Sequence, residues 1–356
     1  MRVLVTGSHG YIGSVLVPML METGHDVTGL DSDLYGRCTY GPAFPAVPLL
    51  KKDIRDVEPS DLDGFEAVIH LAALSNDPLG NLNPRLTLEI NHSATIRLAR
   101  LSKAAGITRF LFSSSCSMYG ASGEEVLDEN AKFLPITAYA ESKVLVEKDL
   151  AHLADTNFSP TCLRNATVYG VSPRMRFDLV LNNLVAWAYT TGMVMLKSDG
   201  TPWRPIVHVE DVSRAFIAIL GASRSAVHNQ AYNVGIQSEN YRIRDLAEMV
   251  RELVPGSRIE YDDNAGPDKR SYRVDFCKFK KAFPDFPLYW NARNGISQIS
   301  ESYRTYGLAQ ADFEGPRYMR IAHIKQLMAE GLLDDNLRWN KSGNATAGEE
   351  SVKVTQ

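Results

Sequence analysis

The sequence predicts a doubly wound α/β fold, a parallel sheet covered by helices on both faces, followed by a smaller mixed domain. Three observations predict it. Short strand-like runs alternate with helical patterns through the first half of the 356 residues. The runs are almost continuously apolar, as expected where both faces of a sheet are covered. A glycine-rich turn, VTGSHGYIG (5–13), stands between the first run and the first helix.

RVLVT (2–6) reads as the first strand, and Gly7, Gly10 and Gly13 follow it where strand turns into helix. Such a turn tolerates unusual dihedrals, lets a pyrophosphate approach bare backbone, and offers it the free N–H groups of a helix start. DVTGLD (26–31) is the second strand and ends in an acid, Asp31, 18 residues after Gly13. That is near the ~20 residues expected of a carboxylate on an adenosine ribose. A carboxylate there repels a 2′-phosphate, so NAD is expected rather than NADP. AVIHLAA (67–73) and RFLFSSS (109–115) continue the strands, with helical patterns at 12–23, 85–105 and 140–154. After YGVSP (169–173) the rhythm breaks. RIRDLAEMVREL (242–253) still reads as a helix, while PIVHV (205–209) and AYNVG (231–235) are expected to return as strands to the first sheet. This gives a nucleotide-binding domain over 1–168, with 205–235 returning to it, and a substrate-binding domain over 169–204 and 236–340. The polar, small-residue stretch 341–356 is expected to be a flexible tail.

Composition narrows the function classes. A net charge of −4 gives no reason to expect nucleic acid or an anionic membrane as partner. No stretch approaches the ~20 apolar residues of a membrane span. Met1 leads straight into the first strand, so no signal peptide is expected. The four cysteines are scattered and the eight histidines lack ligand spacing, which points to reduced thiols in a cytoplasmic protein and to no metal site.

TAYAESKVLVEK (137–148) places Tyr139 and Lys143 four residues apart, on one face of a helix. A free tyrosine, with a pKa near ~10, is a poor base at neutral pH. An ammonium group and a positive nicotinamide beside it favour the phenolate, which then takes a proton from an alcohol while the adjacent carbon loses hydride. Ser115 ends a strand, where ligands gather in open α/β sheets, and its hydroxyl can bond the same oxygen. Cys116 has two readings. Strict alternation turns it into the core as a small apolar side chain; at a strand end beside Lys143 it is instead a second acid/base.

With these motifs the chain resembles the extended short-chain dehydrogenases/reductases, specifically the NAD-dependent nucleotide-sugar epimerase/dehydratase family, over roughly residues 1–300. TGSHGYIG matches the family's TGxxGxxG, KKDIRD (51–56) its adenine contact, HLAAL (70–74) its nicotinamide-side strand, and SSSCSMYG and YAESK its catalytic elements. The resemblance implies a Rossmann-type domain holding NAD through Gly7, Gly10, Tyr11, Ile12, Gly13, Asp31, Asp53, Ile54, Leu71, Ala72, Ala73, Asn91, Ser113, Tyr139 and Lys143. It implies a nucleotide-sugar substrate held by Ser75, Thr167, Asn183, Leu184, Arg204 and Arg270, the two arginines pairing with a diphosphate. It also implies a homodimer built on the helices at 85–105 and 140–154. Two positions depart from the family pattern: Thr167 stands where an asparagine is usual, and Pro205 where an aspartate is usual. The family's 4,6-dehydratases carry an Asp-Glu pair after the catalytic serine, and its decarboxylases a glutamate at the second position. Here Cys116 and Ser117 follow Ser115. The expected reaction is therefore epimerisation through a transient keto sugar, at carbon 4, or at carbon 3 or 5 if Cys116 is an acid/base. The alternatives are a sugar or alcohol dehydrogenase or reductase, then a dehydratase, and, outside catalysis, an NAD-sensing protein of the same fold. Beyond the resemblance, GPRYMRIAHIKQLMAEGLL (315–333) forms an amphipathic pattern that packs on its own domain or on another subunit.

Overall fold

A computed structural model describes residues 1–42, 45–75, 77–266 and 270–340. Seven strands form one sheet: β1 (Arg2–Thr6), β2 (Asp26–Asp31), β3 (Leu49–Lys51), β4 (Ala67–His70), β5 (Arg109–Ser115), β6 (Ser159–Asn165) and β7 (Gln230–Val234). Their order is β7-β6-β5-β4-β1-β2-β3, and every pairing is parallel. The strand order reverses between β1 and β4. In open α/β sheets a cleft forms outside the carboxyl ends at such a point.

Alternation along β1 divides the core. Val3 and Val5 pack with Leu16 and Leu20 of the helix Gly13–Glu22 and with Phe216 and Ile219 of the helix Val209–Gly221. Leu4 points to the opposite face, where Val68, Phe110 and Phe112 meet Leu98 of the helix Ala94–Ala104 and Val146 and Leu150 of the helix Ala138–Leu153. A second core gathers Phe177, Leu181, Leu246, Val250, Ile296 and Tyr303.

Of the two strands expected to return, Gln230–Val234 does so and forms the sheet's edge. The strand Trp203–His208 does not. It pairs with Thr167–Tyr169 and Asn240–Arg242 in a separate three-stranded sheet. Its side chains divide between the two cores, Val207 into the first and Ile206 into the second, so it joins them rather than extending the main sheet. The pattern at 85–105 forms one continuous helical run with a π-type turn in its middle. It runs Pro84–Leu88, a wide π-type turn Glu89–Ser93, then Ala94–Ala104.

The amphipathic stretch near the C-terminus forms the helix Arg320–Ala329. Its Ile324 and Leu327 pack with Leu30, Ile54 and Leu62 beside β2, in the core of the main sheet rather than with Phe177 and Leu246. Trp339 fastens the segment by donating to the Ser32 carbonyl at 2.6 Å. The expected flexible tail, 341–356, lies outside the described residues. No helix among them is long and apolar enough to cross a membrane.

Candidate active site

A cavity of about 880 Å³ opens at the carboxyl ends of β1, β4 and β5 and runs between the two cores. At one end lies the glycine turn. Gly7 has φ +73°, and a Cβ there would lie 2.7 Å from the Ala72 nitrogen. A Cβ on Gly13 would lie 2.2 Å from the Gly7 carbonyl oxygen. Gly10 faces the cavity. The helix that follows has no side-chain cap and no acid in its first turn, so its positive end is open to an anion. Asp31 borders the same space. Its carboxylate accepts from the His9 N–H at 2.9 Å and the Asp33 N–H at 2.7 Å; burial pushes its pKa up against the pull of those two bonds. Uncapped helix end, bare glycine backbone and oriented carboxylate together suit a dinucleotide.

Tyr11, Ile12, Ile54, Leu71, Ala72, Ala73 and Ser113 all line the cavity. Asp53 does too, with both oxygens bonded to Arg55, at 3.0 Å from Nε and 2.7 Å from Nη2. Burial raises its pKa, but Arg55 and the more distant Arg338 outweigh that and hold the carboxyl below its usual range. Asn91 does not reach the cavity. Placed in the wide turn, it is 2 % exposed and grips both backbone groups of Leu74, at 2.8 and 3.1 Å, and Ser142 at 3.2 Å. It fixes the cavity wall from behind.

The helix Ala138–Leu153 starts on Thr137, whose hydroxyl oxygen accepts from the Ala140 N–H at 3.2 Å. It delivers Tyr139 and Lys143 to the cavity opposite Ser115. Lys143 Nζ donates to the Ser113 carbonyl at 2.7 Å and lies 4.5 Å from the Phe112 ring centroid and 5.5 Å from that of Tyr139. Burial pushes its pKa down to about 7, against the pull of Glu147. One turn on, Glu147 pairs with Arg164 of β6 at 2.7 Å, the two side chains 9 % and 7 % exposed. That pair locks the helix to the sheet. Ser115 donates to the Ser117 hydroxyl at 2.9 Å, and both line the cavity.

Cys116 corrects one expectation. It is fully buried and turned away, with Sγ donating to the Arg164 carbonyl at 3.1 Å. Burial pushes its thiol far above its ordinary range. Of its two readings, the structure places it in the core, where the thiol does not line the cavity.

Ser75, Thr167, Asn183, Leu184, Arg204 and Arg270 line the far half of the cavity. Arg204 donates to the Trp203 carbonyl at 2.8 Å and to the Arg270 carbonyl, so the two arginines are held side by side. Several cavity residues went unread in the sequence. Arg176 is bound to Asp178 at 2.7 Å and reaches the Ser75 hydroxyl at 3.2 Å. Asn165, Tyr35 and Arg320 line the space as well. The charged run PRMRFD (173–178) was the one available signal for Arg176; Arg320 gave none, since it is one polar residue on an amphipathic helix.

The family model described as the NAD dependent epimerase/dehydratase family matches residues 3–235. The chain belongs to that family. It is 28% identical to a UDP-glucose 4-epimerase of Corynebacterium glutamicum, over 71% of this chain and 80% of that one. It is 27% identical to UDP-glucuronic acid decarboxylase 1 of Arabidopsis thaliana, over 88% and 72%. Among solved structures it resembles MoeE5 in complex with UDP-glucuronic acid and NAD, at TM-score 0.74 and 28% identity, covering 86% of this chain and 99% of that one. As a member of this NAD-dependent family the protein uses NAD, and the glycine turn, the open helix end and Asp31 fit it.

Proposed function

We propose that the protein is an NAD-dependent epimerase of a nucleotide-diphosphate sugar, acting at carbon 4. The observation that carries this reading is the pairing of a complete Ser115, Tyr139 and Lys143 set in one cleft with the lack of a carboxylate at either position after Ser115, where Cys116 is buried in the core. Bound NAD supplies a hydride acceptor that later returns the hydride. Tyr139, as phenolate, takes the proton from the carbon-4 hydroxyl and gives it back after the ring has presented its other face. The Ser115 hydroxyl bonds the same oxygen. Lys143 favours the phenolate by its charge. Arg204 and Arg270 take the diphosphate in forked pairs, with Thr167, Asn183, Leu184 and Ser75 lining the nucleotide and sugar positions. Without a carboxylate beside Ser115, the keto sugar has no nearby group in that position to expel water or assist loss of carbon dioxide, so return of hydride is its outlet. The similarity to named UDP-glucose 4-epimerases supports the same reading.

The test is a panel of nucleotide sugars incubated in deuterated water and followed by NMR. Carbon-4 epimerisation inverts one centre with no deuterium uptake and no net NADH. Loss of a hydroxyl with deuterium uptake identifies a dehydratase, loss of carbon dioxide a decarboxylase, and accumulating NADH a dehydrogenase; any of these overturns the proposal.

A further inference from the structure

The C-terminal segment places an arginine where the family match does not reach. Arg320 opens the helix Arg320–Ala329, 85 residues past the last matched position, and lines the main cavity with Met319 and Leu337. It is 3 % exposed. Its guanidinium lies 3.9 Å over the Tyr35 ring, and Nη2 donates to the Arg174 carbonyl at 2.9 Å. Nη1 is buried and has no hydrogen-bond partner. No carboxylate bonds it: the acidic groups nearest to it are the Tyr35 phenol and the Cys38 thiol, which shares a hydrogen bond with it, and Asp178, farther off, is itself bonded to Arg176. An arginine so buried is ordinarily paired, because an uncompensated charge is expensive to keep out of water. The helix end beside it has the same deficit. Its N-cap, Met319, offers no side-chain bond, and the first turn holds no acid, so the positive end of the helix also faces the cavity. The guanidinium and the N-terminus of its own helix therefore put two positive groups on one wall of the cleft, with no carboxylate bonded to the guanidinium and no acid in the first turn.

We propose that Arg320 is an anion-binding residue of the cleft, taking a phosphoryl oxygen of a bound diphosphate through its guanidinium. Two diphosphates share this chemistry, the pyrophosphate of the dinucleotide and the diphosphate of a nucleotide sugar. Arg320 packs on Tyr35, four residues past Asp31, which puts it on the dinucleotide side. The inference rests on NAD as cofactor and on no choice among the reactions that follow.

The test uses the full-length protein and the variants Arg320→Met and Arg320→Lys. Three quantities are measured: NAD affinity by calorimetry, UDP affinity of the NAD-saturated protein, and the melting temperature without ligand. Arg320→Met should weaken NAD, or UDP if the second diphosphate is the partner, at least tenfold. The ligand-free melting temperature should stay level or rise, since an uncompensated buried charge has gone. Arg320→Lys should recover part of the lost affinity. NAD and UDP affinities both within twofold of wild type in Arg320→Met would overturn the proposal. So would lost affinity accompanied by a lower ligand-free melting temperature in both variants, because the arginine would then be serving only the packing against Tyr35.

Discussion

Replacing Tyr139 with Phe removes one oxygen and leaves the ring in its place on the cavity wall. In the proposed reaction turnover should fall at least ~100-fold, the lower end for a general acid/base, while substrate affinity stays within a few-fold. Steady-state kinetics giving a kcat within tenfold of wild type would show that another group moves the proton. Asp31→Asn keeps the shape of the strand end and removes its charge. NAD should bind more weakly and the discrimination against NADP should narrow, as read by the ratio of the two dissociation constants; an unchanged ratio would free Asp31 of that role. Both residues were legible because spacing rules govern them: i, i+4 on a helix for Tyr139 and Lys143, and a strand end some twenty residues past the glycines for Asp31. Cys116 shows the same logic operating on a neighbour. With Ser115 facing the cavity, the next side chain turns inward, where it meets the Arg164 carbonyl. Asn91 and Arg320 follow no such local rule. Which wall a side chain reaches, from a π-type turn or from a distant helix, is set by tertiary packing alone.

Between elements, two polar contacts hold the helix that carries Tyr139 and Lys143, and the first strand, to their neighbours. The pair Glu147–Arg164 joins the helix Ala138–Leu153 to β6 at 2.7 Å with both partners buried. Glu147→Ala strands the guanidinium and should cost about 3–5 kcal/mol of stability in denaturant unfolding, whereas replacing both residues by Met should return much of it. A single-variant loss below about 1 kcal/mol would mean the pair is not the link it looks like. His70, at the end of β4, spans from the Thr6 hydroxyl at 2.6 Å to the Thr95 hydroxyl at 2.8 Å. Thr95 spends its own proton on the Asn91 carbonyl at 2.8 Å, so Nε2 of His70 donates. Burial, aided by the charge of Lys143, pushes its pKa down to about 3. Above the free-histidine value of ~6.5 the group costs nothing; below it the unfolded chain takes up the proton first. Stability should therefore fall between pH 6.5 and 3, by up to about 1.4 kcal/mol per pH unit from this group. Denaturant midpoints at pH 7 and 5 should converge in His70→Gln relative to wild type; an identical drop in both would refute the assignment. Strands β1, β2, β4 and β5 could be read from their apolar runs. β6, SPTCLRN, could not, although every residue in it is buried, because its polar groups are satisfied by partners invisible in the local sequence. Thr161 donates to the Val227 carbonyl at 2.8 Å, and Arg164 pairs with Glu147.

Across the whole molecule, the helices Ala94–Ala104 and Ala138–Leu153 flank a groove lined by His92, Ile96, Arg97, Arg100, Leu101 and Asp149. We expect this face to pair with its two-fold mate, giving a homodimer at micromolar concentration. A light-scattering mass of 39.5 kDa, that of one chain, would rule it out. The parallel sheet was legible at this scale because strand–turn–helix repetition writes itself into composition. The way the strand Trp203–His208 splits its side chains between two cores was not, since it follows from where each core lies. The glycine turn carries a further consequence, for how this chain's descendants would look. Side chains at Gly7 and Gly13 are forbidden by backbone, that of Ala72 just after β4 at 2.7 Å from the first and that of Gly7 within the turn at 2.2 Å from the second, whether or not a nucleotide is present. Gly10 is different: a Cβ there meets only the Gly7 carbonyl, at 3.1 Å, at the border of the cleft. A copy of this gene that had lost its cofactor would go on selecting for the first and third glycines simply to fold. Only the middle one would be released to drift, so it is the middle glycine that separates a working copy from a relic.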